Sequence, residues 1–153
     1  MSEKILIIDN DPWMLMSLSI LIRENTPYEV RATNNPLEAI ELVRREKFDL
    51  VIIELKLPVM DGIEFMEAVK QIDEDIPVII MAAYSSVESA IEAMQKKAFD
   101  YITKPFRKEQ MLFTIDKALK LMKLKKENMT LKEEVNRLKV EKLQIENCMA
   151  VNI

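Results

Sequence analysis

The sequence predicts an α/β fold: a three-layer (βα)5 sandwich on a five-stranded parallel sheet, with a last helix that extends into a coiled coil. Short apolar runs alternate five times with amphipathic stretches, a pattern typical of parallel sheets with helices on both faces. From Lys108 to about Asn147 there is no Pro or Gly, and apolar residues recur every seven positions. The single glycine, Gly62, excludes a Gly-rich phosphate loop.

Composition sets further bounds on function. The chain has 153 residues, which suits one domain with an appendage. A net charge of -4 argues against direct nucleic-acid binding, and the lack of histidine excludes a His-based metal site or general base. Cys148 is the only cysteine, so no disulfide forms within the chain and a cytoplasmic location is predicted. No apolar run approaches the roughly 20 residues that span a membrane.

The predicted strands are of two kinds. Ile5–Ile8, Leu50–Ile53 and Val78–Met81 are continuous apolar runs rich in β-branched residues, as expected for strands buried on both faces. Tyr28–Ala32 and Phe99–Thr103 are weaker strand patterns. Together they predict the five strands of the sheet.

The predicted helices fall between these strands. Asp11 and Pro12 open the first helix, since Asp favours the N-cap and Pro the first turn. The remaining helices are predicted over Pro36–Lys47, over Ile63–Ile72, from Ser85 or Ser86 through Lys97, and from Lys108 onward. Most of the methionines are expected to fill the core, including Met14, Met16, Met60, Met66, Met81 and Met94. Trp13 is expected to pack near the pocket rim, and the alternative is that it shields the acidic site.

Polar and small residues directly follow the predicted strands. Proteins with parallel sheets bind their ligands at this edge, at the carboxyl ends of the strands. They are Asp9, Asn10 and Asp11 after the first strand, Glu54 after the third, Ala82 and Ala83 after the fourth, and Lys104 after the fifth. Carboxylates that face one lysine indicate a small site for a cation and a phosphoryl-type anion. The alternative is that these are ordinary solvent-exposed charges on loops. The spacing of the residues alone supports the ligand site and this alternative about equally.

The C-terminal helix carries a heptad pattern. Position a holds Leu121, Asn128, Val135, Lys142 and Met149, and position d holds Leu124, Leu131, Leu138 and Ile145. In a parallel homodimer Glu127 would face Lys132 of the partner subunit, and an Asn at position a favours a two-stranded state. A solvated single helix is the alternative, but the pattern favours a parallel coiled coil over residues 121–149.

These motifs resemble those of bacterial response-regulator receiver domains, which have the CheY-like, flavodoxin-like fold. The resemblance covers Lys4 to about Leu119 and is carried by five blocks: Ile7–Asp11, Asp49–Pro58, Met60–Gly62, Val87–Met94 and Ala98–Phe106. The last two look most like receivers of sigma-54-dependent activators, in which the fifth helix often continues into a dimerising linker. The resemblance implies a receiver over residues 1–120 and a linker over 121–149, without deciding between a fragment and a stand-alone regulator.

The resemblance also implies a role for each pocket residue. The family's Mg²⁺ ligands align with Asp9, Asn10 and the backbone carbonyl of Lys56, and its phosphoacceptor aspartate aligns with Glu54. The family's hydroxyl residue after the fourth strand aligns with Ala82. Its aromatic switch residue aligns with Tyr101, and its lysine with Lys104. Tyr101 is alternatively a core aromatic. Lys97 stands where the family usually has glycine, and the Lys104–Pro105 bond is often cis in the family.

Three of these positions depart from the family pattern. Asn10 lacks a charge, which weakens Mg²⁺ binding; Glu54 is one methylene too long for in-line transfer; and Ala82 has no hydroxyl. The sequence therefore predicts an atypical, non-enzymatic receiver in which Glu54 stands in for phospho-aspartate opposite Lys104. It would control a transcription activator and meet a histidine kinase or another signalling protein.

Three alternatives to this atypical receiver stay open at this point. One is a phosphorylatable receiver that uses another carboxylate, Asp9 or Asp11. Another is a receiver into which Glu54 was engineered as a phosphomimetic. The last is a coiled-coil scaffold that carries a receiver without signalling activity.

Overall fold

The computed structural model describes residues 2–151. Within them, strands and helices alternate along the chain. The strands are β1 (Lys4–Ile8), β2 (Glu29–Thr33), β3 (Leu50–Glu54), β4 (Val78–Ala82) and β5 (Asp100–Thr103). The helices are α1 (Pro12–Asn25), α2 (Pro36–Arg45), α3 (Gly62–Ile72), α4 (Val87–Gln95) and α5 (Lys108–Val151).

The strands form one parallel sheet in the order β2-β1-β3-β4-β5. Ile8 of β1 pairs in register with Ile53 of β3, and Ile53 pairs with Ile80 of β4. The carboxyl ends of these central strands are therefore level with one another. This topology confirms the predicted fold class.

The core lies on both faces of the sheet because side chains alternate along each strand. On one face Leu6 and Ile53 pack with residues of α2 and α3. On the other face Ile7 packs with Leu18 of α1 and Ile115 of α5. The sheet therefore lies between two helical layers, as the sequence predicted.

Side-chain caps begin the helices. The Asp11 carboxylate accepts a hydrogen bond from the Trp13 backbone amide at 3.0 Å and caps α1, as predicted. Ser86, rather than Ser85, caps α4 and forms a reciprocal capping box with Ser89. Each such cap satisfies amides that the first helical turn leaves without partners.

Several predicted boundaries are wrong by one or two residues. The predicted end of α4 at Lys97 lies too far along, because Lys97 adopts φ 73° and the helix ends at Gln95. β2 begins at Glu29 and not at Tyr28, β5 begins at Asp100 and not at Phe99, and α2 ends at Arg45 and not at Lys47.

Some residues that were expected to pack are exposed. Trp13 is 73% exposed, and about half of the Met16 and Met94 side chains is exposed. The expected packing of these three side chains is therefore wrong. Each side chain lies on the outward face of its helix, and hydrophobicity alone does not reveal that orientation. Most of the named methionines pack as predicted: Met66 and Met81 are buried, and Met14 and Met60 are partly buried against the core.

The chain divides into two compact units, Met1–Leu119 and Lys120–Ile153. In the described part of the second unit the heptad residues are exposed: the apolar side chains at positions a and d range from 44% for Leu121 to 65% for Met149. Pairing of this helix with a second copy stays a prediction. Among residues 2–151, no helix combines the length and apolarity needed to cross a membrane.

Candidate functional site at the carboxyl edge of the sheet

Three charged side chains meet at the carboxyl edge of the sheet. Asp9 directly follows β1, Glu54 is the last residue of β3, and Lys104 directly follows β5. β1 and β3 are neighbours, which brings the two carboxylates together. Because β4 lies between β3 and β5, the Lys104 side chain reaches past Ala82, a small residue at the end of β4. The Lys104 backbone amide donates a hydrogen bond to the Ala82 carbonyl at 2.8 Å.

The Lys104 ammonium joins the two carboxylates. Its Nζ donates a hydrogen bond to Oδ2 of Asp9 at 2.6 Å and forms an ion pair with Oε2 of Glu54. The other Asp9 oxygen accepts the Asp11 backbone amide at 2.9 Å. Oε2 of Glu54 is buried and lies beside the ammonium, but it accepts no hydrogen bond of good geometry within residues 2–151.

Because these side chains are buried, the ionisation of each one depends strongly on the charges of the other two. Asp9 is fully buried and Glu54 is 4% exposed. Burial of Lys104 by itself disfavours its charged form. The hydrogen bond to Asp9, the close contact with Glu54 and the charges of both carboxylates outweigh this effect and raise the Lys104 pKa above its ordinary value. The ammonium therefore stays charged at neutral pH and holds both carboxylates.

Within residues 2–151, the side chains of the other predicted pocket positions form no hydrogen bond or ion pair with Asp9, Glu54 or Lys104. Asn10 and Lys56 are exposed. Asn10 lines a separate shallow cavity of about 340 Å³ next to Thr33 and Glu38. Ala82 is buried beside the cluster but contributes no polar side-chain atom.

Tyr101 is bound to a residue that sequence reasoning did not single out. Its hydroxyl lies 2.7 Å from Oγ of Ser89, which also belongs to the α4 capping box with Ser86. Tyr101 is partly buried and packs against the core. The three-residue spacing of Ser86 and Ser89 indicates a cap, but no local pattern indicates the contact with Tyr101.

Gly62 also has a role that the motif did not explain. Its amide donates to the Leu55 carbonyl at 2.8 Å. A β-carbon added at Gly62 would stand 2.7 Å from the carbonyl oxygen of Glu54. The start of α3 can therefore approach the end of β3 only because residue 62 has no side chain.

The fold and the pocket together define a phosphorelay receiver module. The response regulator receiver domain family matches residues 5–116, and the chain therefore belongs to that family and to two-component signal transduction.

Individual relatives agree with this assignment. The chain is 41% identical over 115 residues to the transcriptional regulatory protein ZraR of Klebsiella oxytoca, covering 75% of this chain and 26% of that protein. It is 36% identical over 121 residues to sporulation initiation phosphotransferase F of Bacillus subtilis, covering 79% and 97%. The beryllofluoride-activated NtrC4 receiver domain dimer superposes with a TM-score of 0.74 and 27% identity, covering 78% and 98%. The chain thus spans about a quarter of the transcriptional regulator.

Receiver domains bind Mg²⁺ at this edge of the sheet. Here Lys104 contacts both carboxylates that would ligate the ion, and Asn10 lies outside the cluster. Across residues 2–151, no three Asp, Glu, Cys or His side chains are grouped as metal ligands.

Proposed function

We propose that this chain is the receiver and dimerisation module of a transcription activator of the sigma-54-dependent type, and that Glu54 holds its pocket in one state. The observation that carries the proposal is the contact of Lys104 with both Glu54 and Asp9. A phosphoryl group on the family's aspartate would place negative oxygens near this lysine. The longer Glu54 side chain supplies a permanent carboxylate there.

Three features make phosphorylation of this pocket unfavourable. The Glu54 carboxylate is buried and already engaged by Lys104, so it is not free to attack a phosphodonor. Ala82 has no hydroxyl to bind a phosphoryl oxygen. Asn10 is exposed and uncharged, which weakens Mg²⁺ and with it the charge neutralisation that phosphoryl transfer needs. The module signals by its conformation and catalyses no reaction.

The exposed heptad residues support a parallel homodimer over residues 121–149. In a parallel pair, Asn128 at position a faces the partner's Asn128, and the two amides can bond to each other. In an antiparallel pair, position a faces position d, so Asn128 would be buried against a leucine. Glu127 and Glu134 add attraction to lysines across the parallel interface.

The remaining assignments follow from this role. The partners are a second copy of the chain and a histidine kinase or another signalling protein, and this segment does not bind nucleic acid directly. The cytoplasm is the compartment where such a regulator would act.

Sedimentation equilibrium tests the link between pocket and dimer. Glu54→Gln removes the charge opposite Lys104, and Glu54→Asp withdraws it by one methylene. We expect wild type to dimerise and both variants to dimerise at least about fivefold more weakly, a typical size for coupling between sites. Glu133→Gln, at the outer position f, is the matched control and should behave as wild type. Wild-type affinity in both Glu54 variants would contradict the coupling and favour a plain scaffold.

A further inference from the structure

The second unit begins with a run of positive charge. Lys120, Lys123, Lys125 and Lys126 lie within seven residues that include no acidic residue. All four side chains are exposed. Within residues 2–151, Lys120, Lys123 and Lys125 form no salt bridge, whereas charged residues further along the helix do.

The far end of the helix is balanced internally. Glu141 pairs with Arg137 at 3.0 Å, and Glu146 lies 3.9 Å from Lys142. In a parallel dimer, Glu141 at position g would face the partner's Glu146 at position e. Because each carboxylate has a basic neighbour on its own helix, this like-charge contact is partly neutralised.

At the basic end, Lys120, Lys123 and Lys125 form no such pair within residues 2–151. In the parallel register, which rests on the proposed dimer, Lys120 at position g faces the partner's Lys125 at position e. Lys123 follows Lys120 by one turn and lies on the same flank of the helix. Each of the two symmetric flanks therefore gathers three ammonium groups, which opposes pairing of the first heptad. The nearest carboxylate on the flank, Glu127, follows Lys123 by one turn but forms no salt bridge with it within residues 2–151.

We propose that each flank is a binding site for a small multivalent oxyanion of the phosphate type, and that the bound anion strengthens the dimer. Lysine ammonium groups bind phosphate as strong, charge-assisted donors. The site is short, because Lys120 and Lys125 are separated by only about 7 Å along the helix axis. Glu127 follows directly, so a long polyanion such as DNA would meet negative charge beyond the site.

The test compares dimer dissociation constants of the full chain by sedimentation equilibrium. Inorganic triphosphate is compared with sodium chloride at the same ionic strength. We expect triphosphate to lower the dissociation constant about fivefold, as relief of two clusters of like charge would. Lys120→Glu should tighten the dimer without triphosphate and remove the response. Lys126→Glu makes the same charge change at the outer position f and should keep the response.

Three other results would each contradict a specific part of the proposal. A dimer that ignores triphosphate, or that responds equally in the Lys120→Glu and Lys126→Glu variants, would overturn the anion site and leave the coiled coil standing. A chain that stays monomeric in every buffer, Lys120→Glu included, would contradict the coiled coil and the site with it. Stronger stabilisation by a short duplex DNA than by triphosphate would overturn the assignment to a small anion.

Discussion

The carbonyl oxygen of Glu54 lies 2.7 Å from the position that a β-carbon on Gly62 would occupy. The end of β3 and the start of α3 are thus in backbone contact directly behind the pocket. The carboxylate that faces Lys104 is carried by the same residue as this carbonyl. The residue that packs against Gly62 through its backbone therefore also supplies the ion pair with Lys104.

Gly62→Ala should destabilise the receiver unit, because the new methyl group must push against backbone and not against a flexible side chain. We expect a loss of about 1–3 kcal/mol in the free energy of unfolding, the usual cost of overpacking. Urea denaturation followed by circular dichroism measures it. Gln71→Ala, on the exposed side of the same helix, is the control, and an equal effect of the two changes would contradict the close contact.

Lys97→Gly should stabilise the chain. Lys97 has φ 73°, a left-handed conformation that costs about 1 kcal/mol for a residue with a β-carbon and little for glycine. Lys97→Ala removes the same side chain but keeps the β-carbon, so it should bring no gain. Thermal denaturation of the two variants distinguishes them, and a gain in both would point to the lysine side chain as the cause.

Tyr28 should make stability depend on alkaline pH. Burial, together with the hydrogen bond to Asp116 at 3.0 Å and the charge of that carboxylate, raises the Tyr28 pKa from 10.0 to about 12. Because the folded pKa lies above the unfolded value, this stabilisation is fully present below pH 10 and is lost as the pH rises to about 12.

Tyr28→Phe provides the comparison. We expect wild type to be the more stable protein at neutral pH, and the difference in unfolding free energy to shrink above pH 10, the unfolded value. Urea titrations across this range measure the difference. A difference that stays constant with pH would show that the hydroxyl does not hold its proton through Asp116.

A cysteine at position d tests strand orientation. In a Cys148→Ser background, Leu124→Cys would place two thiols opposite each other in a parallel dimer, within the roughly 6 Å between α-carbons that a disulfide spans. We expect mild oxidation to give a covalent dimer on non-reducing gels. Lys126→Cys, at position f, should stay uncrosslinked. Dimers that form without crosslinking at residue 124 would indicate an antiparallel pair.

The sheet could be predicted from the sequence because its central strands are buried on both faces and therefore read as continuous apolar runs. Glu54 and Ala82 were expected just after β3 and β4 but are the last residues of those strands. β2 was placed one residue early because it is an edge strand with only two buried residues, Val30 and Thr33.

Contacts between side chains that are far apart in the sequence could not be predicted from local sequence patterns. The bond between Tyr101 and Ser89 joins β5 to α4, and no local pattern specifies it. The exposure of Trp13 depends on which face of α1 turns outward. The left-handed backbone of Lys97 was not predicted either, because the helical pattern extended through this residue although the family usually has glycine there.

The central claim is that Glu54 replaces phosphorylation at this pocket. Incubation with Mg²⁺ and acetyl phosphate, followed by intact-protein mass spectrometry, tests it most directly. We predict no added phosphate on wild type and only partial labelling of Glu54→Asp, which restores the family's acceptor but keeps Ala82 and Asn10. Stoichiometric addition of phosphate to the wild-type pocket would contradict the account.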